Sequence, residues 1–456
     1  MSRDGKPGSL LIRGGRLIDP LAKVDALMDI LLRDGQVVEI SLPNKIRGGA
    51  DEKFDARGLI VAPGFIDLHV HLREPGQSYK ETVASGTAAA AAGGFTSVCC
   101  MPNTQPVLDS PEWVTWLRQP QRGAVVNVFP IAAATQASKG AVLTDFRALQ
   151  RAGAVAVTDD GKPVLSDTTM RDALRASAEI NFPIVQHAED TRTTQGCSMN
   201  EGPTSLRLGL RGMSVMAEAA IVDRDVQLAQ QFNGARLHVA HLSTAEALTP
   251  VRRAKRNRAR VSCEVTPHHF ALTDADIHDY DTNFKMNPPL RSAQDREAII
   301  EGLVDGTLAI LGSDHAPHCG YEKEVEFDYA PFGITGLETE LALSLMQLYH
   351  TKRLALSDLI AKFTVAPARL LRLDKGTLSI GADGDVTVFD PDREWVFEKE
   401  RMGSKAPNSP FLGWRHKGKA VVTIVGGKIV WGDDSADRVA NSLSQYWHHP
   451  AIRSSN

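Results

Sequence analysis

Short apolar segments alternate with helical patterns through the middle of this 456-residue chain. Each segment is followed by a polar loop and usually by an amphipathic helical stretch. The segments are residues 96–99, 126–130, 155–158, 183–186, 236–240, 261–265 and 308–311. Strands that alternate with helices form parallel sheets, because the chain must cross back over the sheet before each new strand. The alternation of strands and helices therefore predicts an α/β fold, a TIM-like (β/α)8 barrel.

Segments of β type also lie at both ends of the chain, separated by Gly-rich or polar turns. They are residues 10–12, 29–32, 37–40 and 59–62 at one end and residues 385–389, 420–425 and 428–431 at the other. The short β-type segments at both ends favour a small composite β-sandwich formed by both chain ends. We expect the sandwich to contain residues 1–62 and 376–441, the barrel residues 63–375, and a tail residues 442–456.

Composition and charge exclude several partners and locations. The formal net charge of -4 gives no general attraction to nucleic acids, and the basic run at residues 252–260 is expected to be a solvated helix end. The five cysteines include no CxxC pair, which favours a reducing compartment over a disulfide framework. The first ten residues lack the apolar core of a signal peptide. A cytoplasmic location without membrane association is therefore predicted.

Two histidines, His69 and His71, follow the apolar stretch at residues 61–68. Side chains two residues apart on a strand point to the same face, so both imidazoles could hold one metal ion. Further potential ligands recur after the predicted strands. They are Asp159, Asp160, His187, His241 and Asp314. Each alone could be a helix cap or a packed core residue, but their recurrence at strand ends, where barrel active sites lie, predicts a metal centre.

The stretch GFIDLHVHLREPG at residues 64–76 resembles the signature of dihydroorotases within the amidohydrolase superfamily. Further motifs of that family follow in order over nearly the whole chain. They are MPNT at 101–104, TDDG at 158–161, QHAED at 186–190, HLST at 241–244, EVTPHH at 264–269, KMNPPLR at 285–291, SDHAPH at 313–318 and PFGITGLET at 331–339. The resemblance implies reversible hydrolysis of (S)-dihydroorotate to N-carbamoyl-L-aspartate in de novo pyrimidine (UMP) biosynthesis, by metal-activated hydroxide.

The same resemblance implies a ligand set for two zinc ions per subunit. One ion would be held by His69, His71 and Asp314 and the other by His187 and His241, with Asp160 as the bridge. The family motif selects Asp160 over Asp159 and His241 over His238. Strand alternation adds only that His238 and His241, three residues apart, cannot both face the barrel interior. Hydantoinases use a carboxylated lysine as the bridge, whereas an aspartate resembles the longer bacterial dihydroorotases.

Asp314 is also the catalytic residue that the resemblance implies. It would take a proton from the attacking hydroxide and deliver it to the departing ring nitrogen.

A substrate carboxylate needs a cation, and Arg73 offers a guanidinium suited to bidentate pairing. A neutral hydantoin has no carboxylate for this cation, so Arg73 favours dihydroorotate. By resemblance, the substrate-binding residues are His71, Leu72, Arg73, Asn103, Asn287, His318, Phe332 and Gly333. Residues 319–330 are expected to form a mobile loop over the site.

Two other readings of the sequence stay open. One is a cyclic amidohydrolase of hydantoinase or allantoinase type, which would retain the barrel and most of the metal site. The other is a noncatalytic scaffold for aspartate transcarbamoylase, which the presence of every expected ligand disfavours. The sequence also leaves open manganese or cobalt in place of zinc, a homodimer, and an association of an active chain with aspartate transcarbamoylase.

Overall fold

A parallel barrel and a composite sheet make up the computed structural model, which describes residues 8–47 and 49–433. The strands, in chain order, are β1 (Ser9–Asp19), β2 (Val24–Arg33), β3 (Gln36–Ser41), β4 (Glu52–Asp55), β5 (Ile60–Pro63), β6 (Phe65–Val70), β7 (Phe95–Cys100), β8 (Asn127–Ala133), β9 (Ala156–Thr158), β10 (Ile184–Gln186), β11 (Met199–Asn200), β12 (Gly212–Met213), β13 (Leu237–Val239), β14 (Val261–Val265), β15 (Ile310–Leu311), β16 (Val386–Val396), β17 (Arg415–Val425) and β18 (Lys428–Gly432). The α-helices are α1 (Val83–Ala92), α2 (Pro111–Leu117), α3 (Phe146–Ala152), α4 (Asp167–Ile180), α5 (Pro203–Leu208), α6 (Met216–Ala229), α7 (Ala245–Arg256), α8 (Pro267–Ala271), α9 (Ala293–Val304), α10 (Gly320–Lys323), α11 (Glu340–Ser344), α12 (Leu356–Phe363) and α13 (Val365–Leu371).

The barrel sheet contains eight strands in the described part of the chain, hydrogen-bonded in the order β6-β7-β8-β9-β10-β13-β14-β15. The pairs between neighbouring strands are parallel. Its first and last strands meet where Val70 forms a parallel bridge with His315 and the backbone N–H of His71 donates to the carbonyl of His315 at 2.9 Å. The predicted (β/α)8 barrel is confirmed.

Both chain ends contribute to the second sheet, as predicted. Its order is β18-β17-β16-β5-β1-β2-β3, with β4 paired to β1. The link between the ends is the antiparallel pairing of β16 with β5, in which Val388 lies opposite Val61. Aliphatic side chains from both ends, such as Ile12 and Ile424, form one buried cluster.

The first strand is longer than the predicted segment at residues 10–12, because β1 continues through a bulge between Ile12 and Gly15 and pairs with β2 as far as Asp19. The short pair β11 and β12 has no counterpart among the predicted strands. The proposed domain limits stay predictions, and the tail at residues 442–456 lies outside the described residues. Within residues 8–47 and 49–433, the helices are too short or too polar to cross a membrane.

Phe65, at the start of β6, joins the barrel to the composite sheet. Its fully buried ring packs against Phe363 of α12, with centroids 5.0 Å apart, and against Phe389 of β16 at 5.9 Å. Its backbone N–H donates to the hydroxyl of Thr387 at 3.1 Å, and this hydroxyl donates to the carbonyl of Gly94 at 2.6 Å. The two sheets therefore share one aromatic core.

Replacing Phe65 with alanine is expected to lower the free energy of unfolding by about 3–5 kcal/mol, because the change leaves a cavity in this core. Urea denaturation followed by circular dichroism measures the loss. Leu27→Ala is the control, since that side chain is 57% exposed and surface changes shift stability by less than about 0.5 kcal/mol. Equal denaturation midpoints for Phe65→Ala and the wild type would contradict a shared core.

Candidate metal centre

The side chains predicted to bind metal meet at one rim of the barrel, and all of them are buried. His69 lies in β6, and the others follow strand ends: His71 after β6, Asp160 after β9, His187 after β10, His241 after β13 and Asp314 after β15. The carboxyl ends of parallel barrel strands face the same rim, so residues far apart in the sequence come together there.

Asp160 lies at the centre of this cluster. Its Oδ1 atom is 3.5 Å from Nε2 of His69, and its Oδ2 atom is 3.6 Å from Nε2 of His71. The same Oδ1 is 3.8 Å from Nδ1 of His187 and 3.9 Å from Nε2 of His241. The ligand atoms form two groups that share Asp160, and within each group they lie within 4.8 Å of one another. A cation in each group would therefore have Asp160 as a common ligand.

Asp314 lies beside the first of these groups. Its Oδ1 atom is 3.0 Å from Nε2 of His71 and 3.5 Å from Nε2 of His69. Its backbone φ of 46° is in the left-handed region, so a tight turn after β15 sets the direction of the side chain. Burial raises the pKa of both Asp314 and Asp160, but His69 and the neighbouring imidazoles outweigh it and hold both pKa values well below the ordinary range. Both carboxyls are ionised at neutral pH.

Acceptors outside the ligand groups decide which nitrogen of His69, His71 and His187 faces inward. The contacts run from His69 Nδ1 to Glu264 Oε1 at 2.7 Å, from His71 Nδ1 to Asn103 Oδ1 at 2.8 Å and from His187 Nε2 to Glu189 Oε2 at 2.9 Å. Carboxylate and amide oxygens only accept, so each imidazole donates outward and turns its other nitrogen toward Asp160.

The donors present fit a divalent metal. Nε2 of His69 is buried and has no hydrogen-bond partner within residues 8–47 and 49–433, yet it faces Asp160 and Asp314 at 3.5 Å. A buried imidazole nitrogen that faces two carboxylates suits coordination to zinc or a similar ion, which would take the place of a proton there. Burial raises the pKa of Glu264 and Glu189, but their imidazole donors outweigh it and lower each pKa to about 2. The resulting negative charge favours a bound cation.

Arg73 supplies a cation next to the first ligand group. Its guanidinium is almost fully buried, and burial lowers its pKa. Nε donates to the carbonyl of Pro317 at 3.1 Å, and Nη2 lies 3.3 Å from Nε2 of His318. In the described part of the chain no carboxylate pairs with Arg73. A buried guanidinium that no described carboxylate contacts directly is suited to an anionic ligand.

His318 is neutral beside this cation. Burial together with the charges of Arg73, Lys80 and Lys323 lowers its pKa to about 2. Nζ of Lys80 donates to Nδ1 at 3.1 Å, so the proton of His318 is on Nε2, which donates to the carbonyl of Phe332 at 2.9 Å. Lys80 was not among the predicted residues, and no sequence pattern distinguishes it from other lysines.

The two asparagines contact the candidate ligands and their partners. Besides accepting from His71, Asn103 donates through Nδ2 to Oδ2 of Asp160 at 3.1 Å. Asn287 donates through Nδ2 to Oε2 of Glu189 at 2.8 Å. Each of the two amides therefore has a hydrogen-bond partner in the site, and their roles in substrate binding stay predictions.

Leu72 contributes no side chain to the site. It is fully buried, and a Cβ atom placed on Gly86 would lie 2.5 Å from its Cδ2 atom, so the side chain packs on α1. Only the backbone of Leu72 is therefore available to a ligand.

The segment expected to cover the site, residues 319–330, is hydrogen-bonded to neighbouring backbone through Lys323. Nζ of Lys323 donates to the carbonyls of Lys285, Pro331 and Gly333, at 3.2, 2.9 and 3.1 Å. The short helix α10 is thereby tied to the backbone that was predicted to contact the substrate ring.

The prediction that His238 and His241 cannot both face the barrel interior is wrong. Strand β13 ends at Val239, and His241 has a φ of 31°, so the regular alternation stops before it. His238 points inward as well, with Nε2 3.3 Å from Oε2 of Glu264.

Glu189 and Glu264 lie in the family motifs QHAED and EVTPHH, but no role was predicted for them from the sequence. Glu189 could have been noticed as an acid two residues after His187. Glu264 is at an inward position of β14, and its contact with His69 spans 195 residues, which no local pattern reveals.

Comparisons with known proteins agree with this geometry. Residues 58–247 match the family model described as Dihydro-orotase-like. The chain is 48% identical over 428 residues to a dihydroorotase of Solibacter usitatus, covering 94% of this chain and 99% of that protein. It is 49% identical over 424 residues to a dihydroorotase of Citrifermentans bemidjiense, covering 93% and 99%.

Among solved structures, an L-hydantoinase from Arthrobacter aurescens superposes with a TM-score of 0.82 at 26% identity, covering 93% of this chain and 96% of that one. The barrel thus has the architecture of cyclic amide hydrolases, while the greater sequence identity is to dihydroorotases. The chain belongs to the dihydroorotase family.

Proposed function

We propose that this chain is a dihydroorotase, a metal-dependent hydrolase that interconverts (S)-dihydroorotate and N-carbamoyl-L-aspartate in de novo pyrimidine biosynthesis. The observation that carries the proposal is the meeting of two ligand groups around Asp160, with the unpaired cation of Arg73 beside them. One substrate could then place its ring amide at the two ligand groups and its carboxylate at Arg73. Extensive sequence identity to dihydroorotases supports the same substrate.

The metal would be zinc, with two ions in each subunit. One would be held by His69, His71 and Asp314 and the other by His187 and His241, with Asp160 shared between them. When bound, such a pair lowers the pKa of water and polarises the carbonyl under attack. Imidazole nitrogens and carboxylate oxygens are ligands that zinc takes readily.

Asp314 is the residue that we assign to proton transfer. Its Oδ1 atom faces His69 and His71, which leaves Oδ2 to hold a proton. In hydrolysis Oδ2 accepts a proton from the attacking water and delivers it to the ring nitrogen as the C–N bond breaks. In ring closure the same atom takes the proton from the carbamoyl nitrogen. Acid–base assistance of this kind contributes about 100- to 10,000-fold.

Arg73 would bind the carboxylate of dihydroorotate. The region around Arg73 offers the positive charge of its guanidinium. It also offers the polar groups of the neutral His318 and of Asn103, which lies beside His71. His71, Leu72 through its backbone, Asn287, and the backbone of Phe332 and Gly333 complete the proposed substrate contacts. A homodimer, an association with aspartate transcarbamoylase and a cytoplasmic location stay predictions.

A hydantoinase or allantoinase activity is not favoured, because the unpaired Arg73 suits an anionic ring and the bridging position holds an aspartate. The noncatalytic scaffold is not favoured either. Every candidate ligand is present, and the ligand atoms converge in two groups with Asp314 beside the first.

Asp160→Ala and His187→Ala are each expected to abolish ring opening while the fold is kept, because each removes a ligand from the shared centre. Turnover of dihydroorotate and bound zinc per subunit are measured together on purified protein. Asp190→Ala is the control, since that carboxylate pairs with the exposed Arg192 instead. Full activity in either metal-site variant would refute the assignment.

Arg73→Gln is expected to lower kcat/KM for dihydroorotate by about 10- to 100-fold, because a hydrogen bond to a charged group contributes about 1.5–3 kcal/mol. The assay compares dihydroorotate with a neutral hydantoin, each with and without chelator. Arg192→Gln serves as the exposed control. Wild-type turnover of the hydantoin alone would exclude dihydroorotate as the substrate, and turnover of neither compound would revive the scaffold hypothesis.

A further inference from the structure

Glu264 is a fully buried carboxylate that takes no part in the proposed reaction. Its Oε1 atom accepts from Nδ1 of His69 at 2.7 Å, and its Oε2 atom accepts from Nε2 of His238 at 3.3 Å. Both imidazoles are fully buried as well. A buried charge is strongly unfavourable unless donors satisfy it, so the two N–H groups explain how the carboxylate is kept there.

The strand register explains why these donors reach Glu264. His238 of β13 lies opposite Ser262 of β14, and Glu264 is two residues further along, on the same inward face. Nδ1 of His238 is 2.8 Å from the hydroxyl of Ser262. A continuous series of hydrogen bonds therefore leads from Ser262 through His238 and Glu264 to His69.

Gly312, just after β15, leaves the space that this carboxylate occupies. A Cβ atom at Gly312 would lie 3.1 Å from Oε2 of Glu264 and 3.4 Å from Cβ of His69. Because glycine stands there, the side chain of Glu264 can pass the last strand and reach the first.

We propose that Glu264, itself held by His238, is a positioning residue that orients His69 and thereby sets the metal affinity of the first ligand group. Its oxygens only accept, so His69 carries its proton on Nδ1 and directs Nε2 toward Asp160. The inference rests on the proposed metal-dependent function. Glu189, which accepts from Nε2 of His187, offers the matched comparison in the second group.

Two substitutions separate the charge of Glu264 from its shape. In Glu264→Gln the amide oxygen can still accept from His69, while the amide N–H group faces His238. His238 can accept that bond if its proton moves to Nδ1, because the hydroxyl of Ser262 can accept as well as donate. Glutamine thus keeps the orientation and loses the charge, whereas Glu264→Leu loses both.

The experiment is a zinc titration of the metal-free full-length protein against a chromophoric chelator, with a parallel cobalt titration followed by visible absorption. The wild type is expected to bind two equivalents. Binding of one equivalent is expected to weaken by about 10-fold in Glu264→Gln and about 100-fold in Glu264→Leu. The other equivalent keeps the wild-type affinity. Unchanged binding, or an equal loss of both equivalents, would overturn the inference.

Glu189→Gln is expected to weaken binding of the zinc equivalent that the Glu264 variants leave unchanged. It is also expected to change the cobalt spectrum in a different way. The double variant then loses affinity at both positions. If both single variants weakened the same equivalent, the separate roles of the two carboxylates would be refuted.

Further measurements separate this inference from the proposed function. A wild type that neither binds zinc nor opens dihydroorotate contradicts both. A wild type that binds two equivalents, beside a Glu264→Leu variant with the same two affinities, contradicts the positioning role alone. If the Glu264 variants do not fold, His238→Leu removes only the more distant donor and must still weaken the same equivalent. Zinc affinity equal to that of the wild type in His238→Leu would overturn the proposed role of Glu264 and His238 in orienting His69.

Discussion

Asp160 is buried between imidazoles at the rim of the barrel, and its ionised carboxylate requires positive charge close by. Three further carboxylates in the same region, Asp314, Glu189 and Glu264, also have lowered pKa values. Four buried negative groups would repel one another and destabilise the rim. The geometry resolves this conflict by giving each carboxylate an imidazole partner and by turning inward the nitrogens that can bind a cation.

The barrel makes this arrangement achievable because its strands end at one rim, and small departures from regular structure then aim the side chains. The left-handed backbone at Asp314 and the turn at His241 direct residues that a continuing strand would have pointed elsewhere. Gly312 removes a side chain where the carboxylate of Glu264 must pass. Regular strands bring the residues to the rim, and irregular backbone completes the site.

The sequence predicted the barrel, the joining of both chain ends and the segments that carry the candidate ligands, because strand periodicity and short motifs are local signals. The partners of those ligands were not predictable in the same way. Glu264 meets His69, and Lys80 meets His318, across 195 and 238 residues. The error at His238 has a related cause, since the prediction assumed a strand that continued past Val239. Where a strand ends depends on its neighbours, and a single sequence does not display them.

The two sides of the site differ in charge, and this difference would orient a substrate that carries a carboxylate at one end. Carboxylates surround the ligand groups, whereas Arg73 and Lys80 lie around His318, where Glu322 is 2.8 Å from Lys80. An anionic group at this site is attracted to the buried guanidinium of Arg73. A ring with a carboxylate at one end would therefore bind with its neutral amide toward Asp160. In the proposed reaction, a cation in the ligand groups and the charge of Arg73 would thus together orient the bond to be cleaved.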